Sequence, residues 1–486
     1  MVNLPFQIRN YPYLIGFSAV AGFAVLGMGF AKFASQGVDL PYAQITPQII
    51  SLDLPARNPS SSPVEVDRPG GLILADLNED GKQDFLVTKP DHIVAYTYTG
   101  EQLWTKSTNI QLTGKSESQG LPGLHGAGVQ AGDVDGDGKT EVLFLTKNNT
   151  LQIVQGQNGQ SKAEIQLPPP PENNGWEHLV IANFRGQGDR DLLLQTTNPE
   201  GYRMGRYLAA YPLDELIAQP TTPPLWTRDD FLPNAHNGAK VVDLDGDGKD
   251  EVLGGTIIAP DGKVLFKLPI ELKRSPHLDA LFVADVRPDI PGLEVVALEE
   301  GGANRIFLYN RDRLIWSVNY QRQEPQNAVL GDFDPQRPGL EIWCRSRHNE
   351  NQKPFVFDAQ GELISTYEMK KVAPKDWTNS GVEEIFTIDW TGETQQLAAA
   401  KERHKFGDIG IFDPVSGAFV KRFANQADRI YVADVSGDWR EEVIVLNGNQ
   451  LYIYSNSELN PRPNQPELWT QQHYRRSKMT WNYYSP

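Results

Sequence analysis

The chain contains a single cysteine, Cys344, among its 486 residues, so no disulfide can form within it. Positive charge is also scarce: 45 Lys and Arg stand against 62 Asp and Glu, which gives a formal net charge of -17 and an isoelectric point near 5.0. Binding to nucleic acid requires a basic surface, so this composition excludes nucleic acid as a partner. An acidic surface suits divalent cations and neutral or basic partners instead.

Long apolar runs are absent except for one, from Tyr13 to Phe33, in which Lys32 is the only charge. About twenty apolar residues are enough for a helix to span a bilayer. Arg9 is the only charge before the run, and it favours an N-terminus in the cytoplasm. The run therefore predicts one transmembrane helix, through which the protein has the membrane as a partner.

The domain organisation follows from this segment. We interpret residues 1–34 as a cytoplasmic stub and transmembrane anchor, residues 35–65 as a linker, and residues 66–486 as the folded domain. Two small residues near the end of the apolar run leave a cleaved signal peptide open. On either interpretation the bulk of the chain is extracytoplasmic, in the periplasm or at the cell surface.

One motif, an apolar strand that ends on an acidic or amide residue, recurs eight times. The anchoring residues are Asp76, Asp133, Asn183, Asp243, Asp285, Asp332, Asp389 and Asp434. Their mean spacing of about 51 residues, with room for four short strands in each repeat, is typical of propeller blades. We predict an all-β fold, a β-propeller of eight four-stranded blades preceded by the N-terminal transmembrane helix. Two copies are degenerate, which leaves seven or nine blades open.

Tryptophans recur near the ends of the repeats, at Trp104, Trp226, Trp316 and Trp469. Aromatic side chains at a repeated blade position bury large surfaces between neighbouring sheets. We therefore predict that these indoles pack between blades and do not bind a ligand.

An Asp-rich loop follows the anchor in four of the repeats. The first, second and fourth loops read D-x-[DN]-x-D-G-x-x-[DE], and the eighth is a weaker version. Alternate positions direct hard oxygen donors to one point and the glycine permits a sharp turn, which suits Ca2+. The predicted ligands are Asp76, Asn78, Asp80, Asp84, Asp133, Asp135, Asp137, Glu141, Asp243, Asp245, Asp247, Glu251, Asp434, Ser436, Asp438 and Glu442. We expect three or four mainly structural calcium sites, with acidic turns that bind no metal as the alternative.

The strands that precede the anchors begin at the opposite end of the blades from these loops, and their first residues are polar. In a propeller such residues would surround the mouth of the central channel, where a ligand could bind. The candidate ligand-binding residues are His125, His178, His236, Asn237, His277, Asp279, Asn327 and Arg429. Solvated loop residues without a function are the alternative, and the sequence alone defines no catalytic residue.

The D-x-D-G-D-G loops resemble the FG-GAP or VCBS repeats of integrin-like propellers, which are calcium-binding and often adhesive. The phrases GDFDPQRPGLEIW (331–343) and ADVSGDWREEVIV (433–445), with the closing HYRRSKMTWNYYSP, resemble the propeller of the rhamnogalacturonan endolyases. The likeness runs from about residue 65 to the end of the chain. It implies calcium-assisted β-elimination on the pectin backbone. The residues that it suggests are His236, His277, Lys478, Tyr483 and Tyr484 as candidate bases, with Arg440 and Arg475 to bind the uronate.

Two functions therefore remain open. The first is a membrane-anchored, calcium-binding propeller that acts as an adhesion module and binds a protein or carbohydrate ligand. The alternative is a rhamnogalacturonan-lyase-like enzyme that cleaves a uronic-acid polysaccharide. The predicted tether and the compact blades favour the first, since enzymes that digest polymers are more often released, and a shared fold does not fix the function.

Overall fold

The computed structural model describes residues 37–54, 71–89, 91–110, 128–171, 175–199, 204–235, 238–270, 277–347, 351–403, 407–427 and 429–479. The predicted transmembrane segment 13–33 lies outside these ranges, so that prediction stays a prediction. Within the described residues, no helix has the length and apolar character needed to cross a membrane.

Eight four-stranded antiparallel sheets form the fold, which confirms the all-β propeller of eight blades. The strand β1 (Gln48–Ser51) comes first in the chain and belongs to the last blade. Blade 1 contains β2 (Gly71–Ala75), β3 (Asp84–Lys89), β4 (His92–Tyr96) and β5 (Gln102–Ser107). Blade 2 contains β6 (Val129–Gly132), β7 (Glu141–Leu145), β8 (Thr150–Gln155) and β9 (Ser161–Gln166). Blade 3 contains β10 (Trp176–Ala182), β11 (Asp191–Thr197), β12 (Met204–Pro212) and β13 (Trp226–Arg228), with helix α1 (Leu213–Ala218) after β12.

The second half of the ring repeats this order. Blade 4 contains β14 (Lys240–Val242), β15 (Glu251–Leu253), β16 (Thr256–Ile258) and β17 (Val264–Lys267). Blade 5 contains β18 (His277–Ala284), β19 (Glu294–Glu300), β20 (Ile306–Tyr309) and β21 (Leu314–Val318). Blade 6 contains β22 (Pro325–Gly331), β23 (Glu341–Ser346), β24 (Phe355–Phe357) and β25 (Leu363–Thr366), followed by α2 (Met369–Val372).

The chain then completes the ring. Blade 7 contains β26 (Val382–Ile388), β27 (Leu397–Glu402), β28 (Gly407–Phe412) and β29 (Phe419–Ala427). Blade 8 contains β30 (Arg429–Ala433), β31 (Glu442–Asn447) and β32 (Gln450–Tyr454), and β1 is its outer strand. A 3-10 turn (Leu468–Thr470) and helix α3 (Gln472–Met479) end the described chain.

The hydrophobic core is divided among the contacts between blades. The described residues form eight clusters of buried apolar side chains, one for each pair of neighbouring blades, including the pair formed by blades 8 and 1. Inner strands such as β2 are buried along their whole length, whereas outer strands such as β5 are partly exposed. A strand covered on both faces reads as a continuous apolar run, which is why the inner strands were the clearest signal in the sequence.

The predicted packing of the tryptophans is confirmed for the outer strands of blades 1, 3 and 5. The indole N–H of Trp104 donates to the carbonyl of Gly156 in the next blade at 2.6 Å. Trp226 and Trp316 make the equivalent bonds to Pro260 and Ala359, at 2.9 and 3.0 Å. These three indoles therefore link each outer strand to the outer hairpin of the following blade.

Trp469 also packs against the cluster between blades 8 and 1, but it lies in a 3-10 turn and not on an outer strand. Because blade 8 takes its outer strand from the N-terminal part of the chain, the residues after β32 are free to leave the blade. Trp469 lies beside Tyr474 of α3, with ring centres 5.2 Å apart, and its indole N–H donates to the carbonyl of Asp434 at 2.5 Å.

The ring is closed by residues that the sequence assigned to a linker. Strand β1 pairs with β32, and Ile50 of β1 joins the cluster between blades 8 and 1. Upstream of β1, Val38 bridges to Pro374, and the hydroxyl of Tyr42 donates to Asp408 at 2.9 Å. Residues 37–54 therefore belong to the propeller in the structure, so the folded domain begins before residue 66. The linker assignment missed this because a single short strand gives no periodic signal by itself.

Candidate functional site

The Asp-rich loops connect the first and second strands of their blades. In the second loop, the two carboxylate oxygens of Asp133 accept backbone N–H groups of the loop glycines at 2.6 and 3.0 Å. Glu141 is buried and accepts the N–H of Val134. Oxygens of Asp133, Asp135 and Glu141 lie within 4.8 Å of one another. The ammonium of Lys162 lies 2.6 Å from Asp135 and 2.8 Å from Glu141, so the acids already have one cationic partner.

The fourth loop repeats this geometry. Asp243 accepts two loop N–H groups at 2.7 and 2.8 Å, and buried Glu251 accepts the N–H of Leu244 at 2.9 Å. Oxygens of Asp243, Asp245 and Glu251 again lie within 4.8 Å of one another. Arg311 of blade 5 contacts Asp245, and the second oxygen of Glu251 has no hydrogen-bond partner among the described residues.

The first loop has the same hydrogen-bonded turn, but fewer of its carboxylate oxygens lie close together. Asp76 accepts the N–H of Asp80 at 3.1 Å, and the side-chain amide of Asn78 donates to Asp80 at 3.2 Å. Asp84, the closing acid, accepts the N–H of Leu77 at 3.1 Å. Among the described residues, three acidic ligands come within 4.8 Å of one another in the second and fourth loops but not in the first.

In the eighth loop an arginine forms an ion pair with one of the acidic side chains. Asp434 and Glu442 accept loop N–H groups at 2.7 Å each, and the hydroxyl of Ser436 lies 3.3 Å from Asp438. Arg440 binds Asp438 through two nitrogens, at 3.0 and 2.6 Å. This ion pair occupies a carboxylate that the sequence assigned to metal binding.

The closing acids share an unusual electrostatic environment. Burial raises the pKa of Glu251 and of Glu442 to about 7, and that of Asp84 and Asp434 to about 6, with the neighbouring loop carboxylates adding to the effect. A negative charge at these positions is therefore costly in the protein alone. A bound cation would favour the ionised form and remove that cost.

The predicted ligand-binding residues lie on the first strands of their blades, at the end away from these loops. The described ones are all buried: His178, His277, Asp279, Asn327 and Arg429. Predicted residues His125, His236 and Asn237 lie outside the described residues. Arg429 donates to Glu384 at 2.9 Å, and His178 lies 2.9 Å from the carbonyl of Ala239 in the next blade. These side chains form a polar belt inside the propeller. The alternative of solvated loop residues therefore does not hold for the five described residues, and their binding of a ligand stays a prediction.

One part of this belt brings together three groups that can ligate a metal. The Nε2 atom of His277 lies 3.1 Å from a carboxylate oxygen of Glu300 and 3.6 Å from one of Asp279. All three residues are buried. The three ligand atoms lie within 4.8 Å of one another. The imidazole and two carboxylates therefore form a compact group at the start of blade 5.

Sequence reasoning found His277 and Asp279 but missed Glu300. Glu300 ends β19 and is the cross-strand partner of His277. The pairing register shifts by one residue between Leu278 and Ala280, so a count back along the hairpin without this irregularity would place Gly301 opposite His277. The sequence does show two glutamates, Glu299 and Glu300, near the end of this segment. Which of them faces His277 depends on the β-bulge in the first strand.

The same irregularity recurs around the channel. The pairing of the first and second strands also shifts in blades 3, 6 and 7. The residues within these shifts include Glu177, Asp279, Gln326 and Glu384, all of them buried. β-Bulges redirect side chains and are frequent beside active sites. The bulges therefore mark this end of the channel as a built polar site.

An exposed arginine adjoins the histidine cluster. Arg347 contacts Glu300 and lies 2.5 Å from Glu324, and its side chain is 51% exposed. Its guanidinium thus has a fixed position at the edge of the buried belt and still reaches solvent.

The residues that the resemblance suggested for catalysis do not come together. His277 lies at the polar belt, whereas Arg475 and Lys478 lie on helix α3 at the opposite end of the channel. The ammonium of Lys478 donates to Val432 and Glu441 at 2.7 and 2.8 Å. Candidate bases His236, Tyr483 and Tyr484 lie outside the described residues. We therefore reject the expectation that His277 acts in one catalytic site with Lys478, Arg440 and Arg475.

Helix α3 spans the channel at its loop end. Tyr474 accepts the N–H of Asp434 and donates to Glu441 in blade 8, both at 2.9 Å. Arg476 pairs with Asp189 of blade 3 at 2.8 Å and Asp250 of blade 4 at 3.1 Å. Blades 4 and 8 are opposite each other in a ring of eight, so the helix crosses the axis.

The fold and the repeated acidic loops define the class as a β-propeller with FG-GAP-like repeats. A family model for the FG-GAP-like repeat matches residues 76–144. The family model described as rhamnogalacturonan lyase family 11, C-terminal domain, matches residues 227–484, more than half of the chain. The chain belongs to this rhamnogalacturonan lyase family.

Two Bacillus subtilis proteins are similar to it. The rhamnogalacturonan endolyase YesW is 26% identical over 91% of this chain and 73% of its own length. The rhamnogalacturonan exolyase YesX is 25% identical over 76% of this chain and 65% of its own length. The crystal structure of YesW matches with a TM-score of 0.64 over 90% of this chain and 80% of that chain, and that of YesX with 0.63 over 85% and 76%. The chain is thus homologous to rhamnogalacturonan lyases, which favours the alternative function over the adhesion module.

Proposed function

We propose that the protein is a lyase that cleaves a uronic-acid polysaccharide of the rhamnogalacturonan type by β-elimination. The buried cluster of His277, Asp279 and Glu300 carries this proposal. In the reaction a base takes the proton α to the uronate carboxylate. The released electron pair forms a carbon–carbon double bond, and the glycosidic oxygen leaves with its bonding electrons and takes up a proton.

The cluster fits a divalent cation. It offers one imidazole nitrogen and two carboxylate oxygens, a mixed donor set that divalent ions accept. Three buried groups of this kind leave coordination positions for a substrate, in contrast to the acidic loops, whose oxygens are also engaged by loop N–H groups. When bound, a cation supplies stabilisation for the negative charge that develops on the uronate.

Arg347 is placed to bind the substrate. Its contacts with Glu300 and Glu324 fix the guanidinium beside the cluster, and half of its side chain remains exposed. A guanidinium can bind a carboxylate through two parallel hydrogen bonds. We propose that Arg347 holds a uronate carboxylate near the cluster.

The acidic loops have a separate, structural role in this proposal. Ca2+ at Asp133, Asp135 and Glu141, and at Asp243, Asp245 and Glu251, would neutralise crowded carboxylates and stabilise the blades. Weaker sites at the first and eighth loops follow from their partial geometry. Differential scanning fluorimetry in Ca2+, Mg2+ and chelator tests this: the unfolding midpoint should rise most with Ca2+, and an unchanged midpoint would contradict it.

The enzymatic proposal is tested by the ultraviolet absorbance of unsaturated uronate ends. The protein is incubated with rhamnogalacturonan, with homogalacturonan and with a neutral galactan as the control polymer, with divalent cation and after chelation. We expect a cation-dependent rise on rhamnogalacturonan and a flat trace on the galactan. A flat trace on every uronic polymer would favour the binding-module alternative, which a pull-down with insoluble polysaccharide would then examine.

Membrane attachment through residues 13–33 remains part of the proposal and is supported by their apolar composition. Fractionation of cells that express the full chain tests it. Recovery in the membrane fraction after a high-salt wash supports an anchor, and release of a shortened chain supports a cleaved signal peptide.

A further inference from the structure

A cavity of about 340 Å³ lies at the loop end of blades 1 and 2, beside helix α3. Its walls come from the ends of β2 and β6, the Asp-rich loops that follow these strands, the 3-10 turn and α3. Most of its polar lining residues are partly exposed, so the cavity opens to solvent. Its volume lies within the range of about 300–1,000 Å³ that is usual for small-molecule sites. The histidine cluster lies at the other end of the blades, so the two sites are separate.

The charged groups of this cavity are engaged within the protein. Asp189 and Arg476 form an ion pair at 2.8 Å, and both carboxylate oxygens of Asp133 accept loop N–H groups. Three aspartates, Asp76 among them, and two arginines are present in the described lining. The cavity therefore has no surplus positive charge that would offset the burial of an anion. An uncharged ligand fits it better than a uronate does.

Three glutamines supply groups that suit hydroxyls. Gln83 of the first loop, Gln130 of β6 and Gln472 of α3 line the cavity. A side-chain amide can both donate and accept hydrogen bonds, so it can pair with a hydroxyl in either sense. The oxygen of Gln130 already accepts the N–H of Ile181 at 3.1 Å. The side chains of Gln83 and Gln472 are partly exposed and make no hydrogen bond to another residue that the structure describes, so both are available to a ligand.

An indole lines the same cavity. Trp469 is partly buried against the cluster between blades 8 and 1, and it also borders the cavity. Its N–H donates to the carbonyl of Asp434, its ring meets that of Tyr474 edge to face, and its carbonyl accepts a hydrogen bond from Arg475 at 2.8 Å. The indole is therefore held in one orientation before a ligand binds. The C–H face of a pyranose ring is apolar and can pack on such an aromatic surface, while its hydroxyls pair with polar groups beside it.

We propose that this cavity binds an uncharged sugar unit, with Trp469 against its ring and Gln83 and Gln472 bonded to its hydroxyls. For Trp469 this goes beyond the packing role that the sequence predicts. The use of such a site to retain a neutral part of a polysaccharide rests on the proposed lyase function, whereas the binding itself does not. The absorbance assay of cleavage and a measurement of sugar binding can therefore fail separately.

The test is a ligand-observed NMR titration of the full chain with D-galactose, with L-rhamnose and with D-galacturonate, which differs from galactose by its carboxylate. Saturating Ca2+ keeps the Asp-rich loops in one state throughout. The variants are Gln472→Ala and, as the matched control, Gln471→Ala, which changes the adjacent glutamine outside the cavity lining. Trp469→Leu is a second variant of the site, and circular dichroism checks that each variant is folded.

We expect a neutral sugar to bind the wild type and the Gln471 variant alike. Its affinity for Gln472→Ala should fall about threefold to tenfold, as the loss of one hydrogen bond implies, and Trp469→Leu should also weaken binding. Galacturonate binding should not respond to Gln472→Ala. Absence of neutral-sugar binding by the wild type, equal affinity in the Gln472 and Gln471 variants, or an equal loss of galacturonate binding in Gln472→Ala would overturn the proposal.

Discussion

Replacing Glu341 by glutamine should make the protein more stable above neutral pH. Glu341 closes the loop of blade 6 and is fully buried. One of its oxygens accepts the N–H groups of Phe333 and Asp334 at 2.9 and 2.8 Å, and the other has no hydrogen-bond partner among the described residues. Burial, with the charges of Asp332 and Asp334, raises the pKa of Glu341 to about 7. A glutamine oxygen can still accept the two backbone bonds without carrying a charge.

The magnitude follows from the pKa of Glu341 in the two states. The folded protein holds the Glu341 proton more tightly than the unfolded chain, where the pKa is near 4.5. Below pH 4.5 Glu341 is protonated in both states, so ionisation of the buried carboxyl costs the folded protein no stability. The penalty grows as the pH rises from 4.5 to 7, and it reaches about 3 kcal/mol above pH 7. Glu341→Gln should therefore raise the free energy of unfolding by about 3 kcal/mol at alkaline pH and leave it nearly unchanged at acidic pH.

Urea unfolding in chelator, followed by tryptophan fluorescence across this pH range, measures the effect. The matched control is Glu393→Gln, a change at an exposed glutamate in the corresponding loop of blade 7. If the difference in the free energy of unfolding between Glu341→Gln and wild type does not vary with pH, ionisation of Glu341 is not its cause.

Three further substitutions test how the ring is held together, each by the free energy of unfolding. Ile50→Ala in the closing strand β1 should lower the free energy of unfolding by about 2–5 kcal/mol because Ile50 is buried. The same change at exposed Ile49 should lower it little. Equal effects of the two substitutions would contradict ring closure by β1. Trp104→Phe should cost about 1–3 kcal/mol through the lost indole bond to the next blade, and no change would refute that link. Arg476→Met should cost about 3–5 kcal/mol at pH 7 by leaving buried Asp250 unpaired. Because burial raises the pKa of Asp250, this cost should shrink in acid, and a constant cost would count against the ion pair.

Much of the fold could be predicted because each blade repeats the same local pattern. Asp133 and Asp243 directly follow the inner strands β6 and β14, whose buried residues are mostly apolar. An apolar strand that ends on an acidic or amide residue would be weak evidence for a blade if it occurred once, but its eightfold repetition predicts the propeller. The closing strand β1 has no such support, since its partner β32 lies about 400 residues away in sequence, and only the closed ring brings them together.

The candidate site was predicted in part for the same reason. His277 and Asp279 were identified because they occupy the polar start of an inner strand, a position that recurs. Glu300 was missed because its approach to His277 depends on a one-residue register shift. Lys478 and Arg475 were grouped with His277 on chemical type alone, and the path of α3 places them at the other end of the channel.

In the function proposed above, the His277 cluster supports eliminative cleavage of a uronic polysaccharide. The most direct measurement is the initial rate of ultraviolet absorbance increase on rhamnogalacturonan for wild type, Glu300→Gln and Glu251→Gln, each shown to be folded and assayed with saturating divalent cation. We expect Glu300→Gln to lower the rate by about 100-fold or more, because stabilisation of developing charge is lost. Glu251→Gln should retain most of the wild-type rate. Equal rates for wild type and Glu300→Gln, or no activity in the wild type, would contradict a role of this cluster in cleavage.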